Sequence, residues 1–506
     1  MSFLSSFLYF YGADNFKELS LFLILMPTVL GILSFLVSSN AQRRSIIFIG
    51  SIFHFLITGI LVLTLANRDL YAVSNFPVLI LNSFSGNIEN AVFLSVVSLL
   101  FSGASFYSLK YLKLEEKNIR KDDEGFLIND EPEAVFTGFM MFFLSAMTLV
   151  CFSAHMGLLW AAVEATTLFS APLIYFHRSR RSLEATWKYL VVCSVGIAIA
   201  LLGTFFLSLS GGKSGGSLYF YDIISQAKNF NPLWLKLSFI FFFVGYGTKM
   251  GLAPLHTWLP DAHSEAPSVV SALLSGALLN CAFLGIWKSY SFMRIGGLGE
   301  FSSSIMIFFG IFTVFISALF ILNQKEYKRA LAYSSVENMG LMCLLLGISF
   351  YVGREAEKLV FLSAIGHSLI KSGMFFIAGM VLFYYKSKKY AEVGPMFSKT
   401  PFTAGMWFLG FILLSGAPPS PLFFPKLFIF KFMLLGGKYF ISALMIFLFI
   451  IIFAGLGKIF YETIFSGANN LQEIKEDKTI LFPSLSFFSI SIFIFFAFFY
   501  FSRGIK

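Results

Sequence analysis

Charge is what this sequence has least of. Asp, Glu, Lys and Arg make up 13% of its 506 residues, about half the roughly 25% of an ordinary soluble domain. Hydrophobic residues fill the gap at 57%, which leaves almost no chain for a water-facing domain. Cysteine is scarce too. Cys151, Cys193, Cys281 and Cys343 stand singly inside apolar runs with no CxxC, which argues against a cluster or a disulfide framework and for four small buried hydrophobes. The six histidines form no HExxH and no paired haem-ligand pattern. GGKS at 211–214 echoes a phosphate loop, but the first glycine of GxxxxGK[ST] would fall on Leu207. No redox, metal or nucleotide site is therefore expected, and no cofactor.

What the chain does have is long apolar runs. About 20 apolar residues cross roughly 30 Å of hydrocarbon as a helix. Such runs fall at 21–38, 45–66, 90–109, 134–154, 156–176, 186–209, 234–256, 267–292, 302–322, 330–350, 359–384, 402–436, 439–463 and 481–502. The expected fold is an all-α polytopic membrane protein of about fourteen transmembrane helices. Met1–Ser20 carries Asp14, Lys17 and Glu18 and reads as no cleavable signal. The net charge of +10 sits in loops between spans, so it reports topology and not nucleic acid. With the N-terminus outside, one set of loops holds nearly twice as many Lys and Arg as the other, which puts both termini on the outer, periplasmic side of an inner membrane.

A few ionisable residues lie inside the spans, where each costs about 2.5–3.5 kcal/mol at the bilayer centre. They are Glu164 in LLWAAVEATTLF, Lys249 in GTKMGLAPLHTWLPDAH, Glu337 in AYSSVENMG, His367 and Lys371 in AIGHSLIKSGMFF, and Lys426 in SGAPPSPLFFPKLF. His367 and Lys371 are four apart and share a helix face. Lys288, Lys431 and Lys458 lie near span ends and are expected to snorkel.

Two spans carry breakers. Pro254 is expected to break the seventh by crowding the carbonyl of Met250, and Gly416–Pro421 to break the twelfth. Freed carbonyls at membrane depth call for protein or a watery cavity, so each break is expected to open a wet polar pocket holding its lysine, Lys249 or Lys426. Spans four to eight and nine to thirteen then form two five-helix units, each with a glutamate on its second helix and a lysine on its broken fourth. Because five is odd, the units run in opposite senses, the signature of an inverted-repeat transporter. The expected segments are 1–133 (three helices and an inward loop), 134–292 and 302–463 (the repeats) and 464–506 (the last helix). A Glu–Lys pair of variable spacing can load and release a proton.

GLLWAAVEATTLFSAPLI, GTKMGLAPLHTWLPDAHSEAPSVVSALLSGALLN, KRALAYSSVENMG and GHSLIKSGMFFIAG resemble the antiporter-like, proton-translocating subunits of respiratory complex I, membrane-bound hydrogenases and multisubunit cation/proton antiporters. The likeness covers roughly residues 90 to 440, and VEATTL, KYLVVCSVGIAIALLGT and YSSVENMG look closest to the F component of hydrogenase-4-type complexes. The resemblance implies that Glu164 and Lys249 are proton-handling partners, that His367 and Lys371 lie on a central hydrophilic axis, and that Lys426 ends the second half-channel. His256 and His263 match histidines flanking the broken helix. Two positions depart from the pattern. Asn280 stands where many pumping members carry a lysine, and an amide cannot take the proton. Lys426 stands where hydrogenase-type relatives are expected to have glutamate and looks more like the distal complex I subunit.

The reading that follows is a non-redox proton-translocating subunit of a redox-driven complex of hydrogenase-4 or complex I type. The implied partners are other membrane subunits, a peripheral iron–sulfur, hydrogenase or dehydrogenase module, the lipid bilayer and H⁺, with Na⁺ as the alternative ion. The alternatives are a subunit of a sodium/proton antiporter or inorganic-carbon uptake complex, and a structural membrane spacer with frozen ion pairs.

Overall fold

The computed structural model describes residues 13–66, 88–116, 120–121, 127–128, 130–212, 216–466 and 475–503. Readings that rest on residues 1–12, and on the lysine of GGKS at 213–215, lie outside the described residues. The described chain is almost wholly helical, with one two-residue antiparallel pairing, Arg120–Lys121 against Leu127–Ile128. Its helices are rich in Phe, Ile and Val, which are indifferent helix formers in water. In lipid, intrahelical hydrogen bonding is what satisfies the backbone, so apolar length decides.

The helices are α1 (Ala13–Leu36), α2 (Asn40–Ala66), α3 (Ile88–Glu115), α4 (Glu133–Phe152), α5 (Met156–Ile174), α6 (Arg180–Ser210) and α7 (Pro232–Met250). After a short helix, Trp258–Glu265, come α8 (Ser268–Ile295), α9 (Gly299–Leu322), α10 (Tyr327–Val352) and α11 (Arg354–Tyr385). The rest are α12 (Pro401–Ser415), α13 (Phe423–Leu435), α14 (Tyr439–Phe465) and α15 (Phe482–Arg503). Twelve of the described helices are long and apolar enough to cross a membrane, so this is a multi-pass membrane protein. The other expected spans, the seventh and twelfth, fall on α7 and on the α12–α13 pair, the places where the helix stops.

The described chain forms two compact units, residues 1–247 with 280–298, and residues 248–279 with 299–506. In the first, His54 of α2 ties three helices together. Its Nδ1 is 2.8 Å from Ser98 Oγ on α3 and its Nε2 3.0 Å from Thr148 Oγ1 on α4. Thr148 already gives its proton to the Leu144 carbonyl at 2.8 Å, so Nε2–H donates to Thr148 and Nδ1 accepts from Ser98. In the second unit, α9 and α10 meet backbone to backbone. A Cβ at Gly310 would lie 2.8 Å from the amide nitrogen of Leu344 and 2.9 Å from the Gly340 carbonyl, the close approach that small residues permit between membrane helices. The Ser303 hydroxyl donates to the Gly347 carbonyl across the same seam.

The seventh span corrects the expectation. The helix does not run to Pro254. It ends at Met250, and Gly251 follows with φ +87°, a left-handed conformation that glycine adopts without a Cβ penalty. Pro254 therefore meets no helical carbonyl. Lys249 sits in the last turn of α7 and not at the middle of a continuous span.

Candidate functional site

The second unit brings three of its ionisable residues, Lys371, Glu337 and Lys426, to one largely buried line. Lys371 of α11 is fully buried and donates to the Leu331 carbonyl of α10 at 2.5 Å and to Ser334 Oγ. One turn further along the same face of α10 comes Glu337. Its Oε1 accepts from Lys426 Nζ at 2.9 Å, and their side chains are 1% and 12% exposed. Lys426, on α13, also donates to the Ser415 carbonyl at 3.0 Å, the last residue of α12, so its charge lies where a helix C-terminus favours a cation. The Phe449 ring lies 4.7 Å from the ammonium. The line thus runs from the Lys371–Ser334 contact to the Glu337–Lys426 pair one turn away on α10, and on to the Ser415 carbonyl.

The second break shows where its freed carbonyls go. α12 ends at Ser415, Gly416 turns with φ +78°, and the helix resumes as α13 at Phe423. The Leu413 carbonyl accepts from Gly416 N (3.2 Å) and Ser420 Oγ (2.6 Å). At the first break, the Thr248 carbonyl accepts from Trp258 Nε1 (2.9 Å) and from Gly251 N (3.2 Å), and Ala253 N donates to Thr313 Oγ1 (3.1 Å). At each break a side chain reaches a freed carbonyl directly, Trp258 at the first and Ser420 at the second, and Thr313 takes up the amide of Ala253.

α8 contains a π-helical turn at Leu274–Leu278, a feature that leaves carbonyls without their usual intrahelical donors. α11 supplies donors there. Ser368 donates to the Gly276 carbonyl (2.7 Å) and Ser372 to that of Ala272 (3.1 Å), while Ser275 meets Ser335 of α10 at 2.8 Å. His367 shares this face of α11, one turn before Lys371, and is fully buried. His263 is fully buried and stacks on Phe375 with ring centres 5.0 Å apart. His256 sits edge-on to Phe320 and Tyr333.

The residues that the sequence did not single out are Ser334, the Ser415 carbonyl and a charged latch on helix Trp258–Glu265. Lys328 donates to the carbonyls of Ala266 (2.8 Å) and Ser264 (3.4 Å), Arg329 pairs with Asp261 (2.7 Å), Lys388 pairs with Glu265 (2.8 Å), and Ser264 donates to Glu326 (2.8 Å). A lysine in a KR pair at a span end reads as a topology signal, so nothing in the sequence separates the buried Lys328 from its half-exposed neighbour Arg329. Lys328→Met is expected to destabilise the protein by about 1–3 kcal/mol, since it orphans buried carbonyls. Arg329→Ala, at a partly exposed pair, is expected to cost under about 1 kcal/mol. Thermal unfolding in detergent checks both, and equal losses would mean that burial does not set the difference.

In the first unit, Glu164 of α5 is half-buried. Its Oε1 accepts from Ser194 of α6 at 2.7 Å and its Oε2 from Thr167 at 3.4 Å. Asn280 is buried in α8. Lys249 is fully buried and belongs to the second unit. Lys288 overturns its expectation: it does not snorkel. It is buried and donates to the Ser153 carbonyl at 2.6 Å, because Ser153 ends α4 and presents an unpaired carbonyl to it. Lys431 and Lys458 are exposed, as span-end lysines are expected to be.

The family model described as "NADH:quinone oxidoreductase/Mrp antiporter, TM" matches residues 153–453, a stretch that includes the whole buried line. A curated relative, the hydrogenase-4 component F homolog of Methylacidiphilum infernorum, is 34% identical over 284 residues, covering 55% of this chain and 59% of that protein. The chain spans about half the length of the curated relatives it matches. Among solved structures, a chain of the archaeal membrane-bound sulfane sulfur reductase superposes with TM-score 0.81 at 18% identity, covering 94% of each chain. A chain of the Mrp complex from Dietzia sp. DQ12-45-1b does so with TM-score 0.79 at 15% identity, covering 95% of this chain and 94% of that one. At those identities the superpositions speak for the fold alone. The matched family model spans more than half of the described helices and both helix breaks, and the chain is a member of the NADH:quinone oxidoreductase/Mrp antiporter transmembrane family.

Proposed function

We propose that this antiporter-like chain is a non-redox, proton-translocating subunit of a larger membrane complex. It would cross the membrane fourteen times as two inverted five-helix repeats, 134–292 and 302–463, with both termini on the outer side. The observation that carries the reading is the buried line from Lys371 through Ser334 and Glu337 to Lys426. Three ionisable groups and a hydroxyl at membrane depth form a costly arrangement, and a spacer has no use for it. In this reading Glu164, Lys249, His367, Lys371 and Lys426 carry protons, with Glu337 the counter-charge of Lys426, and His256, His263 and Asn280 border the path. Moving one charge against 100 mV costs about 2.3 kcal/mol. The line can conduct that charge but holds no source of the energy, so a driving module belongs on other subunits.

The family description spans quinone oxidoreductases and Mrp antiporters, which keeps cation/proton exchange as a second reading. Gentle purification from the native membrane, with mass spectrometry of everything that accompanies the chain, separates the two. An iron–sulfur or nickel–iron module is the expected finding and supports the redox-driven reading. Small hydrophobic antiporter subunits with no iron–sulfur protein would replace it with cation exchange. A chain that purifies alone, from membranes where it is abundant, would sink both.

A further inference from the structure

A row of polar contacts joins α5 to α6 in the first unit. Trp160 Nε1 donates to the Ile197 carbonyl (2.7 Å), Ser194 Oγ donates to Glu164 Oε1 (2.7 Å), and Tyr189 Oη meets Ser170 Oγ at 2.6 Å. As the residue number rises along α5 it falls by a nearly equal step along α6, so the helices are antiparallel and the row follows their seam. Thr167 stands in that row, between Glu164 and Ser170 on one face of α5. Its hydroxyl donates to Glu164 Oε2 at 3.4 Å and is also hydrogen-bonded to Tyr189. Thr167, Ser170 and Tyr189 are all fully buried. Their hydroxyls form a chain, Ser170 to Tyr189 to Thr167, that ends on the carboxylate of Glu164.

Serine and threonine in a helix can return their hydrogen to a carbonyl of the preceding turn, as Thr186 does to Ser182 and Ser170 to Thr166, both at 2.7 Å. A phenol stands too far from its own backbone to do so, and its hydroxyl must be matched by another helix. Phenylalanine would fill the same space with no polar group to satisfy, and this chain uses it sixty-seven times; at 189 it places tyrosine. In the Tyr189–Ser170 pair either oxygen can donate. When Tyr189 donates, the Thr166 carbonyl takes the hydrogen of Ser170. The chain can therefore be polarised toward Glu164 or away from it. On α6 the buried face continues from Tyr189 through Thr186 to Ser182, in the first turn of the helix, beside the exposed Arg180 and Arg181. The Ser170 end of the chain thus lies toward the start of α6, with Glu164 deeper along the seam.

We propose that Tyr189 is a proton-relay residue that, with Ser170 and Thr167, supplies Glu164 with protons from the side of the membrane on which α6 begins. A hydronium ion at the Ser170 end becomes water as an O–H bond forms on Ser170. Ser170 passes the hydrogen it held to Tyr189, Tyr189 passes its own to Thr167, and Thr167 passes its own to Glu164 Oε2. Each hydroxyl ends neutral, the carboxylate ends as carboxylic acid, and no electron moves. The proposal rests on the proton-translocating reading above, in which Glu164 carries protons.

The test uses the complete complex in inverted membrane vesicles, which in the orientation proposed above present the start of α6 to the medium. They are energised through the module that co-purifies with the chain, and proton uptake is followed by entrapped pyranine. Tyr189→Phe keeps the ring and removes only the hydroxyl. It is expected to accumulate at the wild-type level and to pump at least about tenfold more slowly. The deficit against wild type is expected to widen as the medium is made more alkaline, because proton supply has become limiting. Wild-type pumping, or a deficit that is the same at every pH, would make Tyr189 seam packing and overturn the proposal. Where Tyr189→Phe fails to accumulate, Thr167→Val and Thr167→Ser decide. Slow pumping by the first and near wild-type pumping by the second support the relay, and equal rates overturn it. Lys426→Met serves as the control. If it pumps normally, the translocation reading falls; if it stops pumping while Tyr189→Phe does not slow, only this inference falls.

Discussion

Lys426→Met is expected to abolish proton pumping by the assembled complex and to destabilise the chain by about 3–5 kcal/mol, the usual result of removing one partner from a buried ion pair. The loss arises from what stays behind. Glu337 is 1% exposed, and without Lys426 its carboxylate is an uncompensated charge at membrane depth; the Ser415 carbonyl also loses a donor. The double variant Glu337→Gln, Lys426→Met removes both charges. It is expected to recover most of the stability, to within about 1 kcal/mol of wild type, because a buried pair is often replaceable by neutral groups of similar volume. It is not expected to recover pumping. Thermal unfolding of the purified complex and pyranine uptake measured on one preparation check the split. Pumping restored together with stability would mean that the pair is scaffolding and would favour the spacer reading.

The second large effect lies away from any charge. Gly310→Leu is expected to cost about 3 kcal/mol or more, at the upper end of overpacking, and to leave little folded chain in the membrane. Its Cβ alone would sit 2.8 Å from backbone nitrogen and side-chain carbon of Leu344. A backbone cannot swing aside as a flexible side chain can, so α9 must separate from α10. α10 carries Ser334 and Glu337, and the surviving protein is expected to lose pumping as well. Fluorescence-detected size exclusion of the solubilised chain reads the amount and dispersity. A monodisperse Gly310→Leu variant at wild-type yield would show that the seam tolerates a wedge.

Much of this was legible from residues alone, for a physical reason. Apolar runs in lipid have one way to satisfy their backbone, so spans read at 90–109 or 359–384 lie within α3 and α11. Ionisable residues inside such runs are rare enough that Glu337, His367, Lys371 and Lys426 could be picked out singly, and the structure places all four in one unit, the first three buried and Lys426 nearly so. What stayed hidden depended on neighbours distant in sequence. Pro254 looked like the breaker because proline is the obvious one, yet Gly251 ends the helix first. Lys288 looked like a span-end lysine because its distance from the span's end was visible and the Ser153 carbonyl was not. Ser334 is one of two adjacent serines in AYSSVENMG, and nothing local says which of them meets Lys371. The π-turn in LLSGALLN has no compositional mark beyond a glycine.

The hydroxyl of Ser334 has a consequence of its own. It gives its single hydrogen to the Leu331 carbonyl at 3.0 Å while receiving one from Lys371. A hydroxyl so oriented would carry a memory in the proposed path: once a proton had left Lys371 the amine would offer a lone pair, and the hydroxyl would have to swing round to face it before another could follow. In the proposed path the hydroxyl would therefore have to be reset after each passage, so the turning of one small side chain would belong to every cycle alongside the hop of the proton.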